Sequence, residues 1–221
     1  MNIVDATCPL VRDIHNEIKE LENDGRKIII IGDHGHDEVV GIASQVKNPL
    51  IVATSEEAMR LRKTKRAGIV SQSTQTIENV QEIVNILMSK VVDLRFVNTI
   101  CFPTKRNQEQ IKELSEKCDT MIVIGSFTSA NSKRLTDLSK ERNAKSYQVT
   151  CAEDINESWL DNCDIVGISA GASTPDNIIN EVLEKIKELD YDSTIVMISG
   201  HGTIDTAVDA LKKGAFDYLP K

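Results

Sequence analysis

Two cysteines, Cys8 and Cys101, stand in matching contexts and are the first candidates for chemistry in this 221-residue chain. Each follows a strand-like run and precedes a proline that can open a helix. Each also lies 24 residues before the glycine that ends the next apolar run, Gly32 or Gly125. A helix N-terminus favours the thiolate form of a cysteine, so the pair is predicted to bind metal. The alternative is that each is a small buried hydrophobic residue.

The segment from Gly32 to Gly41 carries a second group of reactive side chains between a strand and a helix. Backbone N–H groups at that helix start, together with His36, would suit an anionic group such as a diphosphate. Glu38 could deliver a proton to a leaving oxygen. The alternatives are that His34 and His36 bind zinc, although the sequence offers no compact set of further ligands, or that both are solvated loop residues.

Three further strand ends are rich in hydroxyl and amide side chains. Ligands of parallel sheets bind beyond the carboxyl ends of the strands, so these turns are predicted to lie on the binding face. Any one of them alone is more often a helix N-cap. The candidates are Ser73 and Thr74, then Ser129 and Asn131, and finally Ser173.

Strand-like runs alternate with segments of helical period along nearly the whole chain, a pattern that predicts an α/β fold with parallel sheets flanked by helices. Lys27–Gly32 and Met121–Gly125 are buried-strand runs, and each follows a predicted helix. The matching cysteines make these two segments members of a repeat. We therefore predict one unit over residues 1–95, a second over 96–190, and a strand–helix–strand element over 191–221.

Composition limits the class of protein. The net charge of −8 argues against a sequence-independent grip on nucleic acid. The basic run Arg60–Arg66 is the exception and is predicted to be a solvated loop. Apolar runs such as Ile28–Ile31 are far too short for a membrane span, and no signal peptide is recognisable, so the chain is predicted to be cytoplasmic. Cys118, Cys151 and Cys163 lack a repeat partner and are predicted to be ordinary core or surface residues.

Six segments resemble the IspH (LytB) family in identity and order. They span about residues 1–189 and are Asp5-Ala-Thr-Cys8-Pro, Gly35-His36-Asp-Glu38-Val, Val70-Ser-Gln-Ser-Thr74, Thr99-Ile-Cys101, Ser129-Ala-Asn131-Ser and Ala170-Gly-Ala-Ser-Thr-Pro175. The resemblance implies an iron–sulfur reductase of isoprenoid precursor synthesis. Its substrate would be an allylic diphosphate, 4-hydroxy-3-methylbut-2-enyl diphosphate, and its electron donor a ferredoxin or flavodoxin.

The same resemblance assigns roles to residues. It implies a 4Fe–4S cluster held by three cysteines, of which this chain would supply Cys8 and Cys101. Glu38 would be the proton donor, and Ser73 and Thr74 would position it and the substrate. The diphosphate would be bound by His36, Ser129, Asn131 and Ser173.

Family members begin with another unit that supplies the first cluster cysteine and two substrate-binding histidines, and Met1 falls after it. One ligand is therefore expected to be missing, and activity is expected to be impaired unless that unit acts in trans.

The carboxyl end resembles a different family. Residues 194–221 are similar to the last third of a response-regulator receiver domain, with Ser199 and Lys221 at the positions of its switch hydroxyl and lysine. The phosphoacceptor aspartate has no counterpart, so no phosphorylation switch is expected. Besides the reductase, two alternatives remain at this point: a non-enzymatic signalling or binding protein with a receiver-like tail, and a zinc hydrolase using His34, His36 and Glu38.

Overall fold

A computed structural model describes residues 7–171, 173–189, 193–199, 208, 211–212 and 215–220. The chain divides into two compact units, Met1–Thr104 and Lys105–Lys221. Both are parallel sheets flanked by helices, so the α/β prediction is confirmed. No helix in the described part of the chain is long and apolar enough to cross a membrane.

The first unit contains a four-stranded parallel sheet of order β2-β1-β3-β4. Its central strand β1 is the isoleucine run that the sequence predicts, and four of its five residues are buried. The elements in chain order are α1 Pro9–Asn23, β1 Lys27–Ile31, α2 Asp37–Ala43, β2 Leu50–Val52, α3 Ser55–Arg60, β3 Thr64–Ser71, α4 Ile77–Met88 and β4 Val91–Phe96.

Helices cover both faces of this sheet. On one face Ile14, Ile18 and Leu21 of α1 pack with Ile28 and Ile30 of β1. The other face carries a separate cluster in which Ile29 and Ile31 of β1 pack with α4 residues. Alternate residues of one strand thus enter two cores, which explains why β1 is apolar throughout rather than alternating.

Only the middle of the basic run Arg60–Arg66 is the solvated loop that its composition predicts: residues 61–63 join α3 to β3, and Arg62 and Lys63 are exposed. Arg60 is the last residue of α3, and β3 has already begun at Thr64. Arg66 donates from Nε to Asp93 at 3.0 Å and from an Nη to Asp24 at 3.2 Å. Arg26 contacts the same two carboxylates at 2.9 Å and 2.7 Å. Ion pairing across neighbouring elements holds this end of the run in the sheet.

The second unit contains a five-stranded parallel sheet of order β6-β5-β7-β8-β9. Its central strand β5 is buried at all five positions. The elements are α5 Phe102–Lys117, which starts at the end of the first unit, β5 Thr120–Ile124, α6 Ala130–Lys140, β6 Ser146–Val149, β7 Ile165–Ala170, α7 Asp176–Leu189, β8 Thr194–Ser199 and β9 Asp217–Pro220, with two 3₁₀ turns, Ala152–Asp154 and Glu157–Leu160, before β7.

The repeat predicted from the cysteines is present in the topology. In each unit a helix that starts beside a cysteine leads into the strand, β1 or β5, that has parallel neighbours on both sides. The next strand in sequence lies on one side of it and the following one on the other. The equal spacing from cysteine to glycine therefore reflects one supersecondary plan used twice.

The tail beyond α7 adds two strands to the second sheet. β8 pairs with β7, and β9 pairs with β8. Ile195 and Met197 of β8 are buried in the same cluster as Val182 and Leu183 of α7. Much of the helix predicted between the strands lies outside the described residues, as does Lys221. The boundaries 1–95, 96–190 and 191–221 stay a prediction.

Candidate functional site

His36 caps the short helix α2 that follows β1. Its backbone is extended, and its ring Nδ1 accepts the backbone N–H of Glu38 at 3.2 Å. An imidazole nitrogen that accepts a hydrogen bond carries no proton, so the neutral ring bears its proton on Nε2. The cap thus leaves His36 as a donor through Nε2, the polarity that an anionic oxygen requires.

Glu38 is held by Ser73, which lies 35 residues away in sequence. The Ser73 backbone N–H donates to one carboxylate oxygen at 2.6 Å, and the Ser73 hydroxyl donates to the other at 2.9 Å. Ser73 is 8% exposed and Glu38 is half-buried. Two bonds to a partly shielded carboxylate fix its orientation at the carboxyl ends of β1 and β3.

Thr74 belongs to a neighbouring set of hydrogen bonds rather than to the Glu38 pair. Its hydroxyl oxygen accepts from Gln72 Nε2 at 3.0 Å. Gln72, which is fully buried, accepts the Asp33 backbone N–H at 3.0 Å through its own oxygen. The amide of Gln72 therefore links the turn after β1 to the turn after β3, and Thr74 is placed by that link.

His34 points to a different partner. Its Nε2 lies 2.9 Å and 3.0 Å from the two carboxylate oxygens of Glu57, which also accepts the Ala53 backbone N–H at 2.8 Å. These bonds lower the pKa of Glu57, the Ala53 N–H having the larger effect. Among the residues that the structure describes, no three His, Cys, Asp or Glu side chains are grouped to hold a metal ion. The geometry does not support the zinc hydrolase hypothesis.

Cys101 lies at the start of α5, and its backbone N–H donates to the carbonyl of Ser73 at 3.0 Å. Its Sγ lies 2.9 Å from the hydroxyl oxygen of Thr104, which is 4% exposed. The thiol borders a shallow cleft of about 270 Å³ formed by α1 and the segment from Val97 to Phe102. Cys101 is therefore tied through Ser73 to the Glu38 carboxylate, within one unit.

Cys8 is the N-cap residue of α1, with Pro9 as the first helical residue, and its side chain is exposed. Its carbonyl accepts the N–H groups of Val11 and Arg12 at 3.0 Å and 3.1 Å. Cys8 and Cys101 thus both stand at helix N-termini, as the sequence predicts, with Cys8 exposed and Cys101 half-buried.

A 4Fe–4S cluster requires more than these two thiols. Cluster sites are commonly built from four cysteines, and the described residues offer no group of three metal-binding side chains. The residues present do not by themselves fit the cluster that the resemblance implies. They could supply two ligands to a site completed from elsewhere.

The other cysteines belong to the core or its edge, as predicted. Cys118 and Cys163 are each 8% exposed and pack in separate hydrophobic clusters. Burial raises the pKa of the Cys118 thiol to about 12, so it stays protonated at neutral pH. Cys151 is half-buried.

In the second unit Ser129 and Asn131 lie at the N-terminus of α6, directly after β5. Ser129 is the N-cap residue, and its hydroxyl oxygen accepts the Ser132 backbone N–H at 3.3 Å. Asn131 is half-buried in the first turn. The positive end of the helix dipole favours an anion here.

Ser173 lies in the turn after β7, the strand beside β5, and its side chain is exposed. The turn is anchored by Thr174, whose hydroxyl donates to the Ile124 carbonyl at 3.0 Å. Ser129, Asn131 and Ser173 thus follow the carboxyl ends of two adjacent strands.

Two residues beside Cys101, Thr99 and Thr104, were given no role by sequence reasoning. The Thr99 hydroxyl donates to the Ser71 carbonyl at 2.6 Å and accepts the Ser71 N–H at 2.7 Å, which ties the segment before Cys101 to the end of β3. Thr104 contacts the Cys101 sulfur. The only available signal for Thr104 is its spacing of three from the cysteine, which puts both on one helix face.

Fold and strand ends together define a class: α/β units in which hydroxyl, amide and imidazole side chains follow the carboxyl ends of parallel strands, with two thiols at helix N-termini. A sequence model of the LytB protein family matches residues 1–187. This chain belongs to that family, also called IspH.

Similar proteins carry consistent names. The chain is 40% identical over 191 residues to the 4-hydroxy-3-methylbut-2-enyl diphosphate reductase of Geobacter sulfurreducens, covering 86% of this chain and 68% of the relative. It is 41% identical over 189 residues to the Campylobacter lari protein of the same name, covering 85% and 68%. The chain thus spans about two thirds of the length of these relatives.

Solved structures agree. The Plasmodium falciparum E-1-hydroxy-2-methyl-but-2-enyl-4-diphosphate reductase superposes with a TM-score of 0.83 at 26% identity, covering 91% of this chain and 65% of that one. An (E)-4-hydroxy-3-methyl-but-2-enyl diphosphate reductase, described as the terminal enzyme of the non-mevalonate pathway, superposes with a TM-score of 0.55 at 36% identity. The match covers 85% of this chain and 68% of that one. The α/β architecture is therefore that of the family.

Proposed function

We propose that this chain is part of an iron–sulfur reductase that removes the allylic hydroxyl of 4-hydroxy-3-methylbut-2-enyl diphosphate. Family membership and the names of relatives at about 40% identity support the activity. The observation that carries it is the Glu38 carboxylate held by both donors of Ser73, beside the His36 cap.

The reaction consumes two electrons and two protons. The carbon–oxygen bond breaks, a carbon–hydrogen bond forms, and the hydroxyl leaves as water, giving isopentenyl and dimethylallyl diphosphate. Electrons come from a ferredoxin or flavodoxin. An iron–sulfur cluster would supply the electron-transfer chemistry when bound, and Cys8 and Cys101 are the two ligands that this chain contributes.

Glu38 is proposed to protonate the departing hydroxyl. Hydroxide is a poor leaving group, and a positioned acid typically contributes about 10² to 10⁴ in rate to such a step. Ser73 aligns the carboxylate through both of its oxygens, and Gln72 places Thr74 beside it for contact with substrate.

The diphosphate is proposed to be bound by uncharged donors: His36 through Nε2–H, and Ser129, Asn131 and Ser173 through their side chains. Hydrogen bonds to a charged acceptor are about twice as strong as bonds between neutral groups, so several can replace ion pairs. The N-terminus of α6, where Ser129 and Asn131 lie, adds a favourable dipole.

The third cluster ligand is proposed to come from a unit that precedes these two in the family, acting in trans. The test is anaerobic assay of the 221-residue chain alone and mixed with the corresponding segment of the Geobacter sulfurreducens relative. We expect product from the mixture and little from the chain alone, with Glu38→Gln abolishing it. Full turnover by the chain alone would refute the need for a third cluster ligand in trans. If a mixture that carries a cluster showed no turnover, the proposed reductase activity would be refuted.

A further inference from the structure

Ser132 is a buried polar residue that no role above uses. It lies in the first turn of α6 and is 2% exposed. Its side chain is wedged between the ends of β5 and β7, because a Cβ atom placed on Gly125 or on Gly171 would overlap the Ser132 hydroxyl. The two glycines let the helix N-terminus approach the sheet this closely.

The hydrogen bonds between Ser132 and Ser129 have a fixed direction. The Ser132 backbone N–H donates to the Ser129 hydroxyl oxygen at 3.3 Å, and the Ser132 hydroxyl donates to the same oxygen at 3.2 Å. A serine hydroxyl has two acceptor lone pairs and a single proton. With both lone pairs of Ser129 occupied, its proton is committed to donation toward another acceptor.

This polarity matters because a hydroxyl can otherwise rotate and act as either donor or acceptor. An anionic oxygen accepts hydrogen bonds and repels a lone pair. A Ser129 hydroxyl set as a donor before the ligand arrives loses less orientational freedom on binding. Ser129 is half-buried at the N-cap of α6, so its hydroxyl is not fully shielded from a ligand at that helix end.

We infer that Ser132 is a positioning residue for the diphosphate pocket, acting through Ser129 by holding its hydroxyl as a donor. This inference rests on the proposed function, since it concerns the same pocket. It also explains why a glycine directly follows both β5 and β7: a Cβ atom on Gly125 or Gly171 would overlap the Ser132 hydroxyl.

The experiment is a titration of the full chain with inorganic diphosphate, followed by ³¹P NMR. Ser132→Ala removes the hydroxyl and leaves a smaller side chain, whereas Ser132→Cys leaves a larger one with only a weak donor. A packing defect differs between the two variants, and loss of the bond is common to both. We expect each to raise the Kd about fivefold to tenfold, the size of one charge-assisted hydrogen bond partly lost. Thr136→Val is the matched control, since Thr136 is buried on the same helix and donates to the Ser132 carbonyl.

A double-mutant cycle separates positioning from general structure. In a Ser129→Ala background, Ser132→Ala should weaken binding no further, because the group through which it acts is gone. An equal loss in both backgrounds, or an unchanged Kd for Ser132→Ala in the otherwise native chain, would overturn the inference. A native chain that does not bind inorganic diphosphate would instead reject the pocket of the proposed function, and this inference with it.

Discussion

The Ser73 backbone N–H and hydroxyl donate to the two oxygens of Glu38 at 2.6 Å and 2.9 Å. The first of these bonds does not depend on the side chain at position 73, but the second does. The Glu38 carboxylate is therefore held by one backbone bond and one side-chain bond. Substitution of Ser73 removes the hydroxyl bond and keeps the backbone bond, so the contribution of the hydroxyl can be measured by itself.

Ser73→Ala keeps the backbone bond and loses the hydroxyl bond. In the assembled enzyme we expect kcat to fall about tenfold, because one hydrogen bond to a charged group is worth about 1.5 to 3 kcal/mol. KM should change little. Steady-state kinetics measure both constants, and Ser73→Thr is the control that restores a hydroxyl. A loss confined to KM would place Ser73 in substrate binding instead.

The ion-pair network of Arg26 and Arg66 with Asp24 and Asp93 should make the first unit sensitive to acid. Hydrogen bonds from Arg26 and then Arg66 hold the pKa of Asp93 below its ordinary value of 3.8, and the Arg26 bond likewise lowers that of Asp24. A lowered carboxyl pKa contributes stability that is present above the unfolded value and is lost as pH falls through the folded value. Thermal unfolding should therefore show a loss of stability below about pH 4 that Asp93→Asn reduces.

Salt provides the cross-check for that network. Exposed ion pairs are screened, so raising the ionic strength should reduce the difference between the native chain and Asp93→Asn at neutral pH. A difference that is independent of both pH and salt would show that Asp93 stabilises the unit by packing alone.

Gly125 should tolerate no side chain, because a Cβ atom there would overlap the hydroxyl and Cβ of Ser132. We expect Gly125→Ala to lower the free energy of unfolding by about 1 to 3 kcal/mol, the usual cost of overpacking. Gly41→Ala is the matched control, since its Cβ would lie 3.8 Å from His15 Nε2, an ordinary contact, within helix α2. Chemical denaturation measures the free energy of unfolding of both variants. Equal stability of the two would contradict the close packing of Ser132 against Gly125.

The tail beyond α7 should be part of the folded second unit. Ile195 is fully buried in β8, so Ile195→Ala is expected to cost about 2 to 5 kcal/mol. Val208→Ala, at a residue that is 42% exposed, should change stability by less than about 0.5 kcal/mol. Denaturant unfolding measures the free energy of unfolding of both variants. If Ile195→Ala left the free energy of unfolding unchanged, β8 would not belong to the cooperatively folded core.

Sequence patterns predict the central strands well because burial on both faces leaves an unmistakable apolar run. Lys27–Ile31 and Thr120–Ile124 are such strands, and the helix ahead of each buries apolar side chains at helical spacing: Ile14, Ile18 and Leu21, or Ile111 and Leu114. The start of the strand that includes Arg66 was not recognised, because the first residues of that strand are charged and their partners, Asp24 and Asp93, are distant in sequence.

The candidate site was predictable as a list of residues but not as a set of contacts. Position at strand ends and family resemblance identify His36, Glu38 and Ser73, yet nothing local to either residue pairs Glu38 with Ser73, 35 positions away. Sequence likewise gives no direction to the Ser132 to Ser129 bond. The Glu38–Ser73 contact follows from the order of the strands in the sheet, because β1 and β3 are neighbours there although β2 lies between them in sequence.

The central claim is that Cys8 and Cys101 are the two thiols through which this chain contributes to an iron–sulfur cluster. The direct test is iron and sulfide content after anaerobic reconstitution, with visible absorption, for the 221-residue chain mixed with the part of the Geobacter sulfurreducens relative that this chain does not span. We predict that Cys8→Ala and Cys101→Ala each abolish incorporation, whereas Cys118→Ala and Cys163→Ala, at buried core positions, leave it unchanged. Retention of the cluster in the double variant of Cys8 and Cys101, or equal loss in all four single variants, would contradict the account.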